Sequence, residues 1–203
     1  VVVSVASTKA YVAQVTLLAM LSAALKDDKQ VIDDLKQTLN VINDIQSNYK
    51  PIIKSVAEEL KDNKNIFYLG RSFDYYLSLE ASLKLKEISY IHSEAIAGGE
   101  LKHGPIALIE NGTPVIVFIT DPETAASMRG NIEEVKSRGA KVYTIATKSL
   151  CRPEDTIMVE DYAYYLSSVA VASIAFYLAY YVALAKGLNV DKPRNLAKSV
   201  TVE

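Results

Sequence analysis

Apolar and polar residues follow two different rhythms along this chain. Through about residue 60 the apolar positions recur every three or four residues, the spacing of one face of an α-helix. Tyr11, Val15, Leu18 and Leu25 share a face of a helix predicted over residues 8–25, with Ser4 or Ser7 available to cap it. Val31, Ile32, Leu35, Leu39, Ile42 and Ile45 continue the rhythm over residues 29–49. Pro51 interrupts it, and a third helix is predicted over 52–60. The runs then shorten. NIFYL (65–69) ends at Gly70, and TPVIVFIT (113–120) lies between Asn111-Gly112 and Asp121-Pro122. KVYTIAT (141–147) follows, with a shorter candidate strand at 156–159. A helix starting at Asp74 and an amphipathic helix over 123–138, stopped by Gly139, separate these strands. Strands alternating with helices of such lengths predict an α/β fold: a parallel sheet covered on both faces, preceded by a helical N-terminal segment.

One stretch stands out, LEASLKLKEISYIHSEAIAGGELKHGP (79–105), which reads as a helix closing in a Gly-rich turn. On a helical projection Tyr76, Leu79, Leu83 and Tyr90 fall on one face, and Ala81, Leu85 and Ile88 on roughly the opposite one. Glu80, Lys84, Glu87 and Ile91 form a narrow stripe between them, while Ser78, Ser82, Lys86 and Ser89 read as the solvated side. A charged stripe flanked by apolar residues is either partly desolvated, which shifts pKa values toward catalytic use, or a surface stripe with a Glu80–Lys84 pair at i,i+4. Spacing alone leaves both open.

The uncharged run at 166–185, LSSVAVASIAFYLAYYVALA, has the length of a membrane span. Its Ala and Ser content, and Tyr177, Tyr180 and Tyr181 toward its middle and end, favour a helix buried in the domain or in a subunit interface, with no membrane partner. The run stops at Lys186-Gly187. With 203 residues there is enough chain for one domain, or one domain and an appendage. A net charge of −2 gives no hint of nucleic acid. The lone Cys151 rules out an internal disulfide, reads as a structural thiol, and fits a reducing, cytoplasmic setting. VVVSVA lacks the basic start of a signal peptide, and the chain reads as a piece of a longer one.

Chemistry is carried by few residues. Gly70-Arg71-Ser72 is a strand-to-helix turn of the sort that presents N–H groups to anions, or an ordinary tight turn. Gly98, Gly99 and Gly104 frame His103 and allow close approach of a ligand or partner; a histidine packed in a loop is the other reading. His92 has no such frame and is assigned a structural role. Lys198 sits in an aperiodic tail beside Leu196, Ala197 and Val200, where desolvation would make it a nucleophile toward a carbonyl; an exposed terminal lysine is the alternative. One Cys and two His give no metal-ligand spacing, and no P-loop or GxGxxG is present, so no metal or cofactor is expected.

LKLKEISYIHSEAIAGGELKHGPIALI, the ending PRNLAKSVTVE and the opening VASTKAYVAQVTLLAM closely resemble the isomerase portion of the glutamine–fructose-6-phosphate aminotransferases, or glucosamine-6-phosphate synthases. The resemblance covers nearly the whole chain and implies a sugar-isomerase (SIS) fold: residues 1–60 from the end of a preceding SIS domain and its linker, 61–190 the SIS domain, and 191–203 a catalytic tail. It implies Glu87 as the base that moves a proton between sugar C1 and C2. It further implies His103 as the residue assisting ring opening in a neighbouring subunit of a homodimer, and Lys198 as the Schiff-base lysine for fructose 6-phosphate. Lys84, Val5, Ser7 and the backbone at Ala197 match positions lining the sugar phosphate. The family's glutaminase domain and phosphate loop have no counterpart among these residues, so the chain on its own is expected to be inactive. LEASLK replaces the family's LEGALK, and VASIAFYLAYY departs from its PLQLLAYH-like helix. A non-catalytic sugar-phosphate-binding module is the alternative.

Overall fold

The computed structural model describes residues 6–196. At its centre is a five-stranded sheet of β1 (Asn65–Gly70), β2 (His92–Ala97), β3 (Pro114–Ile119), β4 (Lys141–Thr147) and β5 (Ile157–Val159), in spatial order β2-β1-β3-β4-β5. Every neighbouring pair is parallel, so each connection has to cross a face of the sheet. Three helices come first: α1 (Lys9–Lys26), α2 (Gln30–Asn48) and α3 (Lys50–Leu60). Pro51 lies in the first turn of α3, where a missing N–H costs no helical hydrogen bond. α4 (Phe73–Ser89) joins β1 to β2, α5 (Ala125–Lys136) joins β3 to β4, and α6 (Ser167–Ala170) and α7 (Ala172–Ala185) follow β5.

Strand alternation divides the core in two. Ile66, Tyr68, Ile116, Phe118, Tyr143 and Ile145 face α2, α3, α4 and α7. Their neighbours in sequence, among them Phe67, Leu69, Val115, Val117 and Ile119, face Met128, Ile132 and Val135 of α5 and Leu101 of the loop after β2. Both faces are therefore covered, as the runs of apolar residues in β1 and β3 require.

The structure corrects the sequence reading in four places. HSEAIA, read as the way out of a helix, is the edge strand β2. The apolar run 166–185 is two helices with a break at Val171, and most of its residues are inside the molecule, so the core-helix reading accounts for it. Ser7 does not cap α1; Thr8 stands at the cap position and its side chain makes no capping bond. The fourth correction concerns α4. Ser78, Ser82 and Ser89 are buried, not solvated, while Tyr76 (62% exposed), Leu79 and Leu83 face outward. Serine is small enough for close helix–sheet packing and can return its hydroxyl to its own helix. Ser78 Oγ donates to the Asp74 carbonyl (2.7 Å) and Ser89 Oγ to that of Leu85 (2.6 Å).

The start of α4 is fastened to the end of β3. Thr120 donates its backbone N–H and its hydroxyl to the two carboxylate oxygens of the fully buried Asp74, at 2.7 and 2.5 Å. Burial nevertheless pushes the Asp74 carboxyl up to about 6 from 3.8. The native state therefore holds a proton that the unfolded chain has already lost between those values, and stability must fall as pH rises through that window. The full difference is about 3 kcal/mol. Urea titrations from pH 4 to 7 should show this decline in the wild type, and Asp74→Asn should flatten it; a decline of equal size in the variant would assign it to other groups.

Gly98 closes β2 against α5. Its N–H donates to the Gly70 carbonyl (2.9 Å), and a Cβ there would lie 2.6 Å from Asn131 Oδ1 and 2.8 Å from Met128 Sδ. Gly98→Ala should destabilise the chain by about 1–3 kcal/mol, read as a lower urea midpoint with an unchanged m value.

Candidate active site

α4 carries Glu80, Lys84 and Glu87 on one stripe, and the structure brings these three together. The helix is wedged between the sheet and α7, so side chains that a surface helix would hydrate are drawn inside. Lys84 is only 4% exposed, and the side chains of Glu80 and Glu87 are 11% and 20% exposed. The surface-stripe reading therefore fails. The expected Glu80–Lys84 ion pair is present at 3.6 Å, but Lys84 Nζ donates more closely to Glu87 Oε2, at 2.6 Å one turn onward. Glu80 Oε1 is buried without a hydrogen-bond partner. Burial raises the Glu80 carboxyl above its usual range; Lys84 partly offsets this and the like charge of Glu87 adds to it.

Two other elements border the stripe. Tyr11 of α1 feels the charge of Glu80 and lies near Ser168 of α6, burial holding its hydroxyl above the usual phenol range. Ser167 Oγ is buried and unpartnered. Ser7 is exposed, one turn ahead of Tyr11.

The far end of α4 meets the start of the tail. Tyr90 turns the chain out of the helix in the left-handed region (φ 61°). Its hydroxyl accepts a hydrogen bond from the Arg194 N–H (2.6 Å), and the Arg194 guanidinium lies 4.2 Å from the ring centre. Nothing in the spacing of Tyr90 and Arg194 announces this clamp, which joins residues 104 apart in sequence. Lys198, Ala197 and Val5 lie outside the described residues.

His103 is elsewhere. It ends the short 3₁₀ turn Leu101–His103 and is exposed. Leu101 anchors that turn to the α5 face of the sheet, opposite α4. Among the described residues no hydrogen bond joins His103 to the α4 stripe. The turn is tied down by Lys102, which pairs with Glu134 of α5 at 2.7 Å. Gly98 makes its close approach to α5 rather than leaving space for a ligand.

Gly70-Arg71-Ser72 behaves as a tight turn. A Cβ on Gly70 would strike the Asp74 carbonyl at 2.2 Å, and Arg71 Nε donates to Asn131 Oδ1 (3.1 Å). The turn lies about 24 Å along the helix axis from Glu87 at 1.5 Å per residue. His92 lines a cavity of about 410 Å³ at the amino end of the sheet, with Lys64, Glu110 and Asn111; the charged stripe contributes nothing to it. No group of His, Cys, Asp and Glu among the described residues could hold a metal ion.

A carboxylate base beside a buried ammonium suits proton transfer next to a carbonyl. The chain is 50% identical to the glutamine–fructose-6-phosphate aminotransferase (isomerizing) of Streptococcus mutans, a match covering 99% of this chain and 35% of that protein. It is 48% identical to the enzyme of the same name from Lactiplantibacillus plantarum, over 99% of this chain and 34% of that one. It thus spans about a third of the length of these relatives. Among solved structures it is similar to the C-terminal domain of glucosamine-fructose-6-phosphate aminotransferase from Francisella tularensis, with TM-score 0.85 and 32% identity over 94% of this chain and 57% of that one. It is also similar to a glucosamine-6-phosphate deaminase from Thermotoga maritima, with TM-score 0.74 and 25% identity over 98% and 58%. The model of the SIS domain matches residues 59–186, from the end of α3 to just past α7, and the chain belongs to the SIS-domain family.

Proposed function

We propose that this chain is the isomerase portion of a cytoplasmic enzyme that converts fructose 6-phosphate, with ammonia released from glutamine, to glucosamine 6-phosphate. Residues 61–190 are its SIS domain, 1–60 lead in from a preceding one, and 191–203 are its catalytic tail. The sugar ring opens with help from His103, contributed to the site of a neighbouring subunit in a homodimer. The Lys198 amine adds to the C2 carbonyl and water leaves, giving a Schiff base. Ammonia displaces the lysine at C2. Glu87 then takes a proton from C1 and returns it to C2 while the C1 hydroxyl proton passes to the C2 nitrogen, leaving the amino aldose phosphate, which closes. Lys84, Ser7, Val5 and the backbone at Ala197 line the sugar.

The observation that carries this reading is the Tyr90–Arg194 clamp. It holds Arg194 against the residue one helical turn beyond Glu87, and Arg194 precedes Lys198 by four residues. Four residues span at most about 14 Å, enough for the lysine to reach the charged stripe. The exposed position of His103, away from α4, supports its use by another subunit. The outward-facing Tyr76, Leu79 and Leu83 of α4, with Leu17, Leu18, Leu21 and Leu25 of α1, offer apolar surface for the rest of such an assembly.

The experiment is a hybrid enzyme in which these 203 residues replace the matching third of the Streptococcus mutans relative. It should form glucosamine 6-phosphate from fructose 6-phosphate and glutamine, while the 203 residues alone should show little turnover of fructose 6-phosphate to glucose 6-phosphate. In the hybrid, Glu87→Gln should lower kcat by about 10²–10⁴, and Lys198→Ala should block trapping of the sugar by borohydride. Full activity in both variants would leave a sugar-phosphate-binding module in place of a catalyst. Lys84→Met strands two buried carboxylates against each other and should destabilise the 203-residue chain by about 3–5 kcal/mol at pH 7. Urea denaturation at pH 4, where protonation relieves the repulsion, should give back part of that loss.

A further inference from the structure

We infer that Glu80 is a positioning residue of this site, which takes over the Lys84 ammonium while Glu87 holds a proton. The inference rests on the reading of Glu87 as the proton-transferring base. Its physical ground is the geometry of the three side chains.

Glu80 and Glu87 stand one turn to either side of Lys84 on one face of α4, at i−4 and i+3, the two spacings at which helical side chains meet. The flexible lysine stem spans either gap. At rest the ammonium sits on Glu87 at 2.6 Å and stands off Glu80 by 3.6 Å. The nearer Glu80 oxygen, Oε1, is buried and accepts no hydrogen bond. A buried carboxylate oxygen without a donor is costly, and in this seam the donor within reach is the Lys84 ammonium, drawn toward Glu87 by one N–H and with two more to offer. Tyr11 borders Glu80 from α1, but no hydrogen bond reaches Glu80 Oε1 from it. The arrangement is one cation between two anions, bonded to one and within about 1 Å of bonding to the other.

Proton transfer upsets this balance. When Glu87 takes the proton from the sugar carbon it becomes a neutral acid, and a lysine that is 4% exposed cannot turn to water for compensation. A shift of about 1 Å brings the ammonium onto Glu80. The buried cation keeps a full carboxylate partner, and Glu87 is released from a bond that would oppose its protonation. When Glu87 gives the proton back, the ammonium returns. Lys84 keeps its three protons throughout, and the one proton the seam gains and loses is the one carried from C1 to C2; the O1 hydroxyl proton passes to the C2 nitrogen outside it. The seam holds a net charge of −1 before transfer and zero during it. Glu80 never touches the sugar, so its loss should act on turnover and not on binding.

The direct test is structural and uses the 203-residue chain. Glu87→Gln imitates the neutral, protonated acid. Its crystal structure should show Lys84 Nζ within about 3.2 Å of a Glu80 carboxylate oxygen. An ammonium that stays at position 87, or turns to solvent, overturns the proposal. Glu80→Gln is the control: Lys84 should remain on Glu87 as in the wild type, and its departure would also count against the proposal. The kinetic arm uses the hybrid enzyme. Glu80→Gln should lower kcat about tenfold or more with KM within about twofold, and Glu80→Asp, which keeps the charge, should recover part of the loss. An unchanged kcat, or a loss confined to KM, refutes the role. Should Glu87→Gln itself retain activity, the reading of Glu87 as base falls, whereas the position of Lys84 in the crystals still decides whether Glu80 receives the ammonium.

Discussion

A lysine ammonium withdrawn from water has to be met by anions, and the requirement of Lys84 organises the middle of this molecule. Removing a charge from solvent is tolerable only where opposite charge and hydrogen bonds replace it. Among the described residues the replacement comes from α4 itself, through Glu80 and Glu87, because helical geometry stacks those positions along one line. Any shift that hydrated one of the three would change the other two.

The burial that creates this requirement comes from elsewhere. α4 lies against β1 and β2 on one side and α7 on another. It approaches closely because its inward residues alternate large with small: Leu77, Ala81, Leu85 and Ile88 fill space, while Ser78, Ser82 and Ser89 let backbones come near. α7 needs no polar face at all, since Ala175, Leu178, Ala179 and Val182 are enclosed by α3, α4 and the sheet. The Asp74–Thr120 pairing fixes one end of α4, and the Tyr90–Arg194 clamp borders the other. The helix is thus held at both ends and along its length, which suits an element that carries charged groups at set distances.

Periodicity reveals what a segment would bury if hydrophobicity alone decided, and that covers much of this fold. β1, β3 and β4 were legible because they are central strands, nearly all buried and built around short apolar or β-branched runs. β2 was not, because an edge strand needs only alternate positions buried, and Ser93 supplies one of them. The serine face of α4 was misread for a related reason: hydroxyls that bond back to their own helix lose the polarity a hydropathy pattern assigns them. The same misreading turned Leu79 and Leu83 outward in fact while the pattern pointed them in. In the site, spacing put Glu80, Lys84 and Glu87 on one stripe. Which glutamate lies nearer the lysine, and how deeply all three are buried, depends on packing that spacing does not carry.

α1 adds a different kind of property. Of its eighteen residues only Ala23 is fully buried, and Leu17, Leu18, Leu21 and Leu25 face outward. So few enclosed contacts make it one of the least firmly held helices, able to part from α2 and α6 while the sheet stays intact. Yet Tyr11, near its start, is among the groups that surround Glu80. Solvent access to a buried carboxylate without a hydrogen-bond partner is therefore governed by one of the molecule's most loosely attached walls. Whatever presses on the bare leucines of α1 thereby sets the local dielectric around the charges on α4.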